Sequence, residues 1–175
     1  MLGKTHIAGG IALASIVSLF TVKAGYNDIE HVILQQASIL TSAGLGALWL
    51  DIDHKNSAIS RQYPIISFIV RLFVAHRGAT HSILFYLMFS LLGFLIAQTI
   101  GTGIALWIAI GFSIGYASHI LLDSLNPRGV PLFYPLKHRY SFGKIVTGKW
   151  KEKIIYVSCV LITIVCECDL IRMYI

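Results

Sequence analysis

Five histidines and three aspartates of this chain fall into four short motifs: His6; Asp51-Ile52-Asp53-His54; His76-Arg77-Gly78-Ala79-Thr80-His81; and His119 with Asp123. Imidazole and carboxylate without thiolate is a donor set suited to zinc, manganese or iron in hydrolytic centres. Such an ion lowers the pKa of a bound water from about 15.7 to near 7 and polarises a carbonyl or phosphoryl oxygen. His119 and Asp123 are four residues apart and share one helical face, a turn apart, where both reach one ion or two adjacent ions. Asp51 and Asp53 would diverge on a helix, so the backbone is expected to leave the helix at Leu50 and bring oxygen and imidazole ligands together from a loop. Gly78 permits a turn, Thr80 is placed to cap the helix that follows, and His76 and His81 can be aimed at one point.

The expected metal ligands are therefore His6, Asp51, Asp53, His54, His76, His81, His119 and Asp123. They would hold one or two ions, zinc first, with manganese or iron as alternatives. Asp51 or Asp53, if not a ligand, is the candidate general base. Arg77 is placed for an anionic oxygen, and the turn sequence Asn126-Pro127-Arg128-Gly129 would bring the Asn126 amide and Arg128 back over the site as oxyanion or phosphate contacts. His76 has a second possible role, orienting a ligand carboxylate. Each motif has a plainer alternative: an interfacial histidine for His6, a solvated helix end for Asp51 to His54, an intrahelical hydrogen bond for His119 and Asp123.

The elements that must position these residues are membrane helices. Of 175 residues, 56% are hydrophobic and only 13% charged, too little polar surface for a soluble globule. Apolar runs near the roughly 20 residues needed to cross about 30 Å of hydrocarbon recur at residues 7–22, 31–50, 81–98, 104–122 and 154–171. Residues 64–75 are apolar but short and carry Arg71, which suits a helix lying at the interface. The fold class expected is all-α, one polytopic bundle of four to five transmembrane helices spanning residues 1–175. With the N-terminus on the cytoplasmic side, Lys4, Lys55, Arg61, Arg71, Arg77, Arg128, Lys137, Arg139, Lys144, Lys149, Lys151 and Lys153 all fall inside, and only Lys23 and Arg172 outside. The C-terminus is then outside. On this topology the four motifs lie at one level, beside the inner helix ends, while His31 is on the opposite side.

The net charge of +6 follows from that topology, so no nucleic-acid partner is expected. Lys144 to Lys153 reads as an anchor attracting anionic headgroups. Gly44, Gly46, Gly93, Gly111 and Gly115 read as sites of close helix packing. Cys159, Cys166 and Cys168 read as buried small apolar residues of the last helix.

Taken together, His6 with Gly10, Leu50-Asp51-Ile52-Asp53-His54, His76-Arg77-Gly78-Ala79-Thr80-His81-Ser82, His119-Ile120-Leu121-Leu122-Asp123, Asn126 to Leu132 and Tyr134-Pro135 resemble the YdjM-type inner-membrane proteins, described as LexA-regulated, membrane-bound, metal-dependent hydrolases. The resemblance covers most of the chain and implies a hydrolase in the bacterial inner membrane. The order His, Asp, His, His-x-x-x-Asp also looks like the zinc ligands of bacterial phospholipase C and P1-type nucleases, but a later set for a third ion is missing. The function expected is hydrolysis of an ester or phosphoester in an amphiphilic or phosphorylated small molecule, with membrane lipids as surroundings; the alternative is a metal-binding or metal-transporting protein without hydrolytic activity. A transport path usually puts polar groups at the bilayer midplane, and the helix middles here carry no charged residue. Oligomeric state is left open by the sequence.

Overall fold

The computed structural model describes residues 1–23, 28–54, 57–73, 78–136 and 138–174. Seven helices carry the described chain: α1 (Gly3–Lys23), α2 (Ile29–Trp49), α3 (Ala58–Gln62), α4 (Pro64–Phe73), α5 (Ile83–Ile100), α6 (Gly103–Ser124) and α7 (Trp150–Arg172). Five are long and apolar enough to cross a membrane: Gly3–Val22, Ile29–Ile52, Ile83–Ile100, Gly103–Ser124 and Trp150–Arg172. These are the five expected spans, each shifted by a few residues at its ends. Among the described residues there is no strand, only an isolated antiparallel bridge between Val130 and Tyr140.

In lipid the helix is forced by the need to satisfy every backbone polar group internally, and the apolar side chains then face outward as well as inward. α5 shows this most clearly, burying Ala97 and leaving Leu84, Leu87, Leu91 and Leu95 exposed along one side. α2 and α6 form the centre of the bundle, flanked by α1, with α7 against α1 and α5 against α6. Small residues make the central contact close. A Cβ on Gly46 would lie 2.3 Å from the Phe112 carbonyl oxygen, on Gly111 2.3 Å from that of Ile39, and on Gly115 2.0 Å from that of Ala43. Gly44 and Gly93 have ordinary contact distances instead.

Local chemistry sets the helix ends. Asp28 caps α2, its carboxylate accepting from Glu30 N at 3.1 Å and pairing with the His31 ring at 2.9 Å. α2 stops at Trp49, and Leu50–Asp53 tightens into a 3₁₀ turn, so the backbone leaves the α-helix where expected. Ala79–His81 is another 3₁₀ turn, and this moves the cap of α5 from Thr80 to Ser82, whose hydroxyl accepts from Phe85 N at 3.3 Å. The segment expected at the interface is helical over Pro64–Phe73, as α4, preceded by the short α3. Ile65, Ile66, Phe68 and Ile69 are exposed, while Ser67 donates inward to the Ile52 carbonyl at 2.8 Å. Of the cysteines, Cys166 is buried but Cys168 is exposed, so the expectation of three buried small residues holds for only part of the set.

The segment after α6 folds back over the end of the bundle. Phe142 N donates to Ser124 O at 2.7 Å and Ile145 N to Leu125 O at 3.0 Å. Gly129, at φ +61°, lets the backbone approach Tyr140 O so closely that a Cβ would sit at 2.7 Å. Ile83 N also donates to Leu132 O at 2.9 Å, tying this loop to the start of α5.

Candidate metal centre

The starts of α1 and α5 and the ends of α2 and α6 meet at one level, because successive long helices run in alternate directions. There the structure brings together His6 of α1, Asp51 of the turn after α2, His81 of the turn before α5, and His119 and Asp123 of α6. His6, His81, His119 and Asp123 are almost wholly buried, and Asp51 is 19% exposed. His6 Nε2 lies 3.3 Å from Asp123 Oδ1, His119 Nε2 3.8 Å from Asp123 Oδ2, His81 Nε2 3.9 Å from Asp123 Oδ2, and His119 Nε2 3.8 Å from Asp51 Oδ1. The His6 and His119 rings stack at 3.7 Å.

Two overlapping triads result, His6 with Asp51 and His119, and His81 with His119 and Asp123, each with its donor atoms within 4.8 Å of one another. His119 Nδ1 is 2.6 Å from the Ala47 carbonyl oxygen. A carbonyl only accepts, so Nδ1 carries the proton and Nε2 presents its lone pair to the carboxylates. The triads therefore share one donor atom, which describes the surroundings of a single ion better than two separate ones.

The residues fit a divalent cation. Tetrahedral coordination with bonds of about 2.0–2.1 Å separates donor atoms by roughly 3.3 Å, near the spacing seen here. His6 Nδ1 and His119 Nε2 are buried without a hydrogen-bond partner, which costs stability unless something else satisfies them, and His6 Nε2 has only its 3.3 Å contact with Asp123 Oδ1. The Met1 amino group lies 2.5 Å from Asp123 Oδ1, so a cation would share that carboxylate with it.

A cavity of about 1030 Å³ opens beside this cluster, lined by Lys4, Asp51, His54, Asn126, Arg128 and Thr147 among others. Asp51 thus belongs to both the buried cluster and the cavity wall. His54 is exposed in the cavity and outside both triads. Asn126 lines the cavity while its amide donates to Ile145 O at 3.3 Å and Thr147 Oγ1 at 3.1 Å, and its Oδ1 accepts from Arg128 N at 3.0 Å. That arrangement fixes the loop carrying Arg128. His76 and Arg77 lie outside the described residues, as does the side chain of Asp53, whose backbone is in the 3₁₀ turn.

Several supporting groups had no sequence signal strong enough to single them out. Tyr116 donates its hydroxyl to Thr80 O at 2.5 Å, holding the turn that presents His81. Glu152, buried and 1% exposed, accepts from Leu2 N at 2.6 Å and from Gly148 N at 2.5 Å, latching the start of α7 to the start of α1. Its place in the first turn of α7, three residues after the capping Lys149, is the one available hint, because an acid there caps backbone N–H groups.

A family model described as YdjM inner membrane protein matches residues 1–173. The uncharacterized protein YvsG of Bacillus subtilis is 35% identical over 162 residues, covering 92% of this chain and 91% of that protein. The inner membrane protein YdjM of Escherichia coli is 38% identical over 115 residues, covering 65% of this chain and 58% of that protein, and the Shigella flexneri protein of the same name matches equally. No solved structure matches the chain.

Proposed function

The chain belongs to the YdjM family of inner membrane proteins, and from that premise we propose that it is a membrane-embedded, metal-dependent hydrolase acting on an ester or phosphoester of a lipid-like substrate. One observation carries the reading: three imidazoles and two carboxylates from four chain segments gather in two overlapping triads at the edge of a cavity whose wall carries Lys4, Asp51, His54 and Arg128. A structural staple would need the ligands but not the cavity. The basic-residue asymmetry supports a cytoplasmic N-terminus and site, with the C-terminus outside.

His6, His81, His119 and Asp123 would hold one zinc, manganese or iron ion. The ion would supply a Lewis acid for a carbonyl or phosphoryl oxygen and would acidify water at neutral pH. Asp51, reaching both cluster and cavity, is the base that takes a proton from the attacking water. As the water oxygen bonds to the carbon or phosphorus, the bond to the leaving oxygen breaks, and that oxygen keeps the electron pair and takes a proton from Asp51. Ester and water thus become acid and alcohol. Arg128 and Lys4 attract an anionic substrate at the cavity wall, and Asn126 positions Arg128. The Ala47 carbonyl keeps the His119 tautomer that presents Nε2. Asp53, His54, His76 and Arg77 stay in the proposal on the sequence reading, as further ligand, base or anion-binding residues, with no position assigned to His76, Arg77 or the Asp53 side chain.

Elemental analysis of detergent-purified protein tests this, with His119→Ala and Asp123→Asn beside the wild type. About one equivalent of metal in the wild type and little in either variant, at unchanged helix content, supports the centre and directs a screen of phospholipids and other phosphoesters. Metal-free wild type after reconstitution at neutral pH overturns the mechanism.

A further inference from the structure

We propose that the substrate is an anionic phospholipid that enters sideways from the bilayer, its headgroup in the cavity beside Lys4 and Arg128 and one acyl chain in a groove between α1 and α7. The proposal rests on the hydrolase reading for the fate of the lipid, but the seat itself is independent of turnover. The groove, about 310 Å³, runs along Lys4, Ile7, Ala8 and Ile11 of α1 and Tyr156 and Val160 of α7. Lys4 and Ile7 also line the larger cavity, so the two spaces adjoin at these residues.

Depth and charge identify the occupant. From Lys4 to Ile11 the helix rises about 10 Å, roughly two thirds of one leaflet of a 30 Å hydrocarbon core. The groove therefore starts at headgroup level and runs inward along the lipid acyl direction. Its volume is too small for another helix. At the mouth, Lys4 Nζ lies 5.4 Å from the centre of the Tyr156 ring, an amphipathic pair suited to the interface. Lys4 and Arg128 are exposed on the cavity side, which favours a headgroup with net negative charge over a zwitterionic one.

The test is photolabelling of the full chain in phosphatidylcholine nanodiscs containing a small fraction of phosphatidylglycerol with a diazirine on its acyl chain. Peptide mapping should place the label on residues 7–11 and 156–164, with about thirtyfold more than from the matching phosphatidylcholine probe, the preference two cations near the surface give an anionic charge. Val160→Trp, at a lipid-facing position that does not threaten folding, should remove the label from both stretches, and Ala8→Phe should do the same from the opposite wall. Label spread evenly over α1, α5 and α7, or equal labelling by both headgroups, overturns the proposal. Specific labelling of a protein that holds no metal would leave the groove standing and the hydrolase reading refuted. Metal binding and cleavage of a water-soluble phosphoester without specific labelling would do the reverse.

Discussion

The contact between α2 and α6 aligns the proposed centre, and Gly115→Ala measures how tightly. A Cβ at position 115 would stand 2.0 Å from the Ala43 carbonyl oxygen and 2.8 Å from Ala47 N, both backbone atoms that cannot rotate away. Ordinary contact begins at 3.4 Å, so α2 and α6 must part locally by about 1.4 Å, the difference between 3.4 and 2.0 Å. Ala43 and Ala47 are one turn apart on α2, as Gly115 and His119 are on α6, so the displacement carries directly to the His119 Nδ1 to Ala47 O bond. From 2.6 Å it would lengthen to about 4 Å, beyond hydrogen-bonding range. Loss of a partner that orients a ligand imidazole typically weakens metal affinity by about 10- to 100-fold, or roughly 1.4 to 2.7 kcal/mol. Zinc titration by calorimetry, with helix content checked by circular dichroism, reads this directly. Gly93→Ala is the control, because a Cβ there meets only Ala109 Cβ at 3.9 Å. Wild-type zinc affinity in a folded Gly115→Ala protein would refute the claim that this helix contact sets the centre.

Two further outcomes follow from single hydrogen bonds. Tyr116→Phe removes the donor to Thr80 O and should loosen the turn carrying His81, costing about 0.5–1.5 kcal/mol of thermal stability and weakening metal binding by a few fold; an unchanged melting temperature and zinc affinity would count against a positioning role. At the other end of the bundle, the His31 hydrogen bond, followed by that from Glu30 N, holds the Asp28 carboxyl below its ordinary range. A depressed folded-state pKa contributes stability that is present at neutral pH and lost as pH falls through the carboxylate range. Asp28→Asn should therefore lower the melting temperature slightly at pH 7 and make no difference in acid, where wild type and variant unfolding curves should coincide.

The five long helices were legible in the sequence because the bilayer imposes one length on every span, and their shared chemical level followed from counting His and Asp at alternate helix ends. The i, i+4 pair of His119 and Asp123 was legible for the same reason, since one helix fixes both residues. The arrangement of His6 and His81 was less so, because it depends on how separate helices approach each other. The glycines gave part of that answer: Gly46, Gly111 and Gly115 permit the close approach, whereas Gly44 and Gly93 belong to the same compositional pattern without making it. What could not be read was supplied by backbone and by tertiary order. The Ala47 carbonyl that sets the His119 tautomer has no side-chain signature, and Glu152 lies within a basic run whose charge pattern suggests only solvation. Thr80 and Ser82 are both competent caps, and only the 3₁₀ turn over Ala79–His81 decides between them.

Buried polar side chains also continue deeper into the bundle, and their chemistry bears on the competing transport reading. Ser18 Oγ donates to Gln36 Oε1 at 2.6 Å, and Gln35 Nε2 to Thr21 Oγ1 at 2.9 Å, all between α1 and α2. These groups are neutral and pair across helices, which is how polar residues hold membrane helices together. An ion path would instead require charged or carbonyl ligands spaced to pass a cation from one site to the next. The described ionisable ligands gather at one helix end and border a cavity that opens there. On the proposed topology a cation at that end would sit at the level where water and headgroups meet, which is where hydrolysis could draw both reactants and where transport would still have most of the membrane to cross.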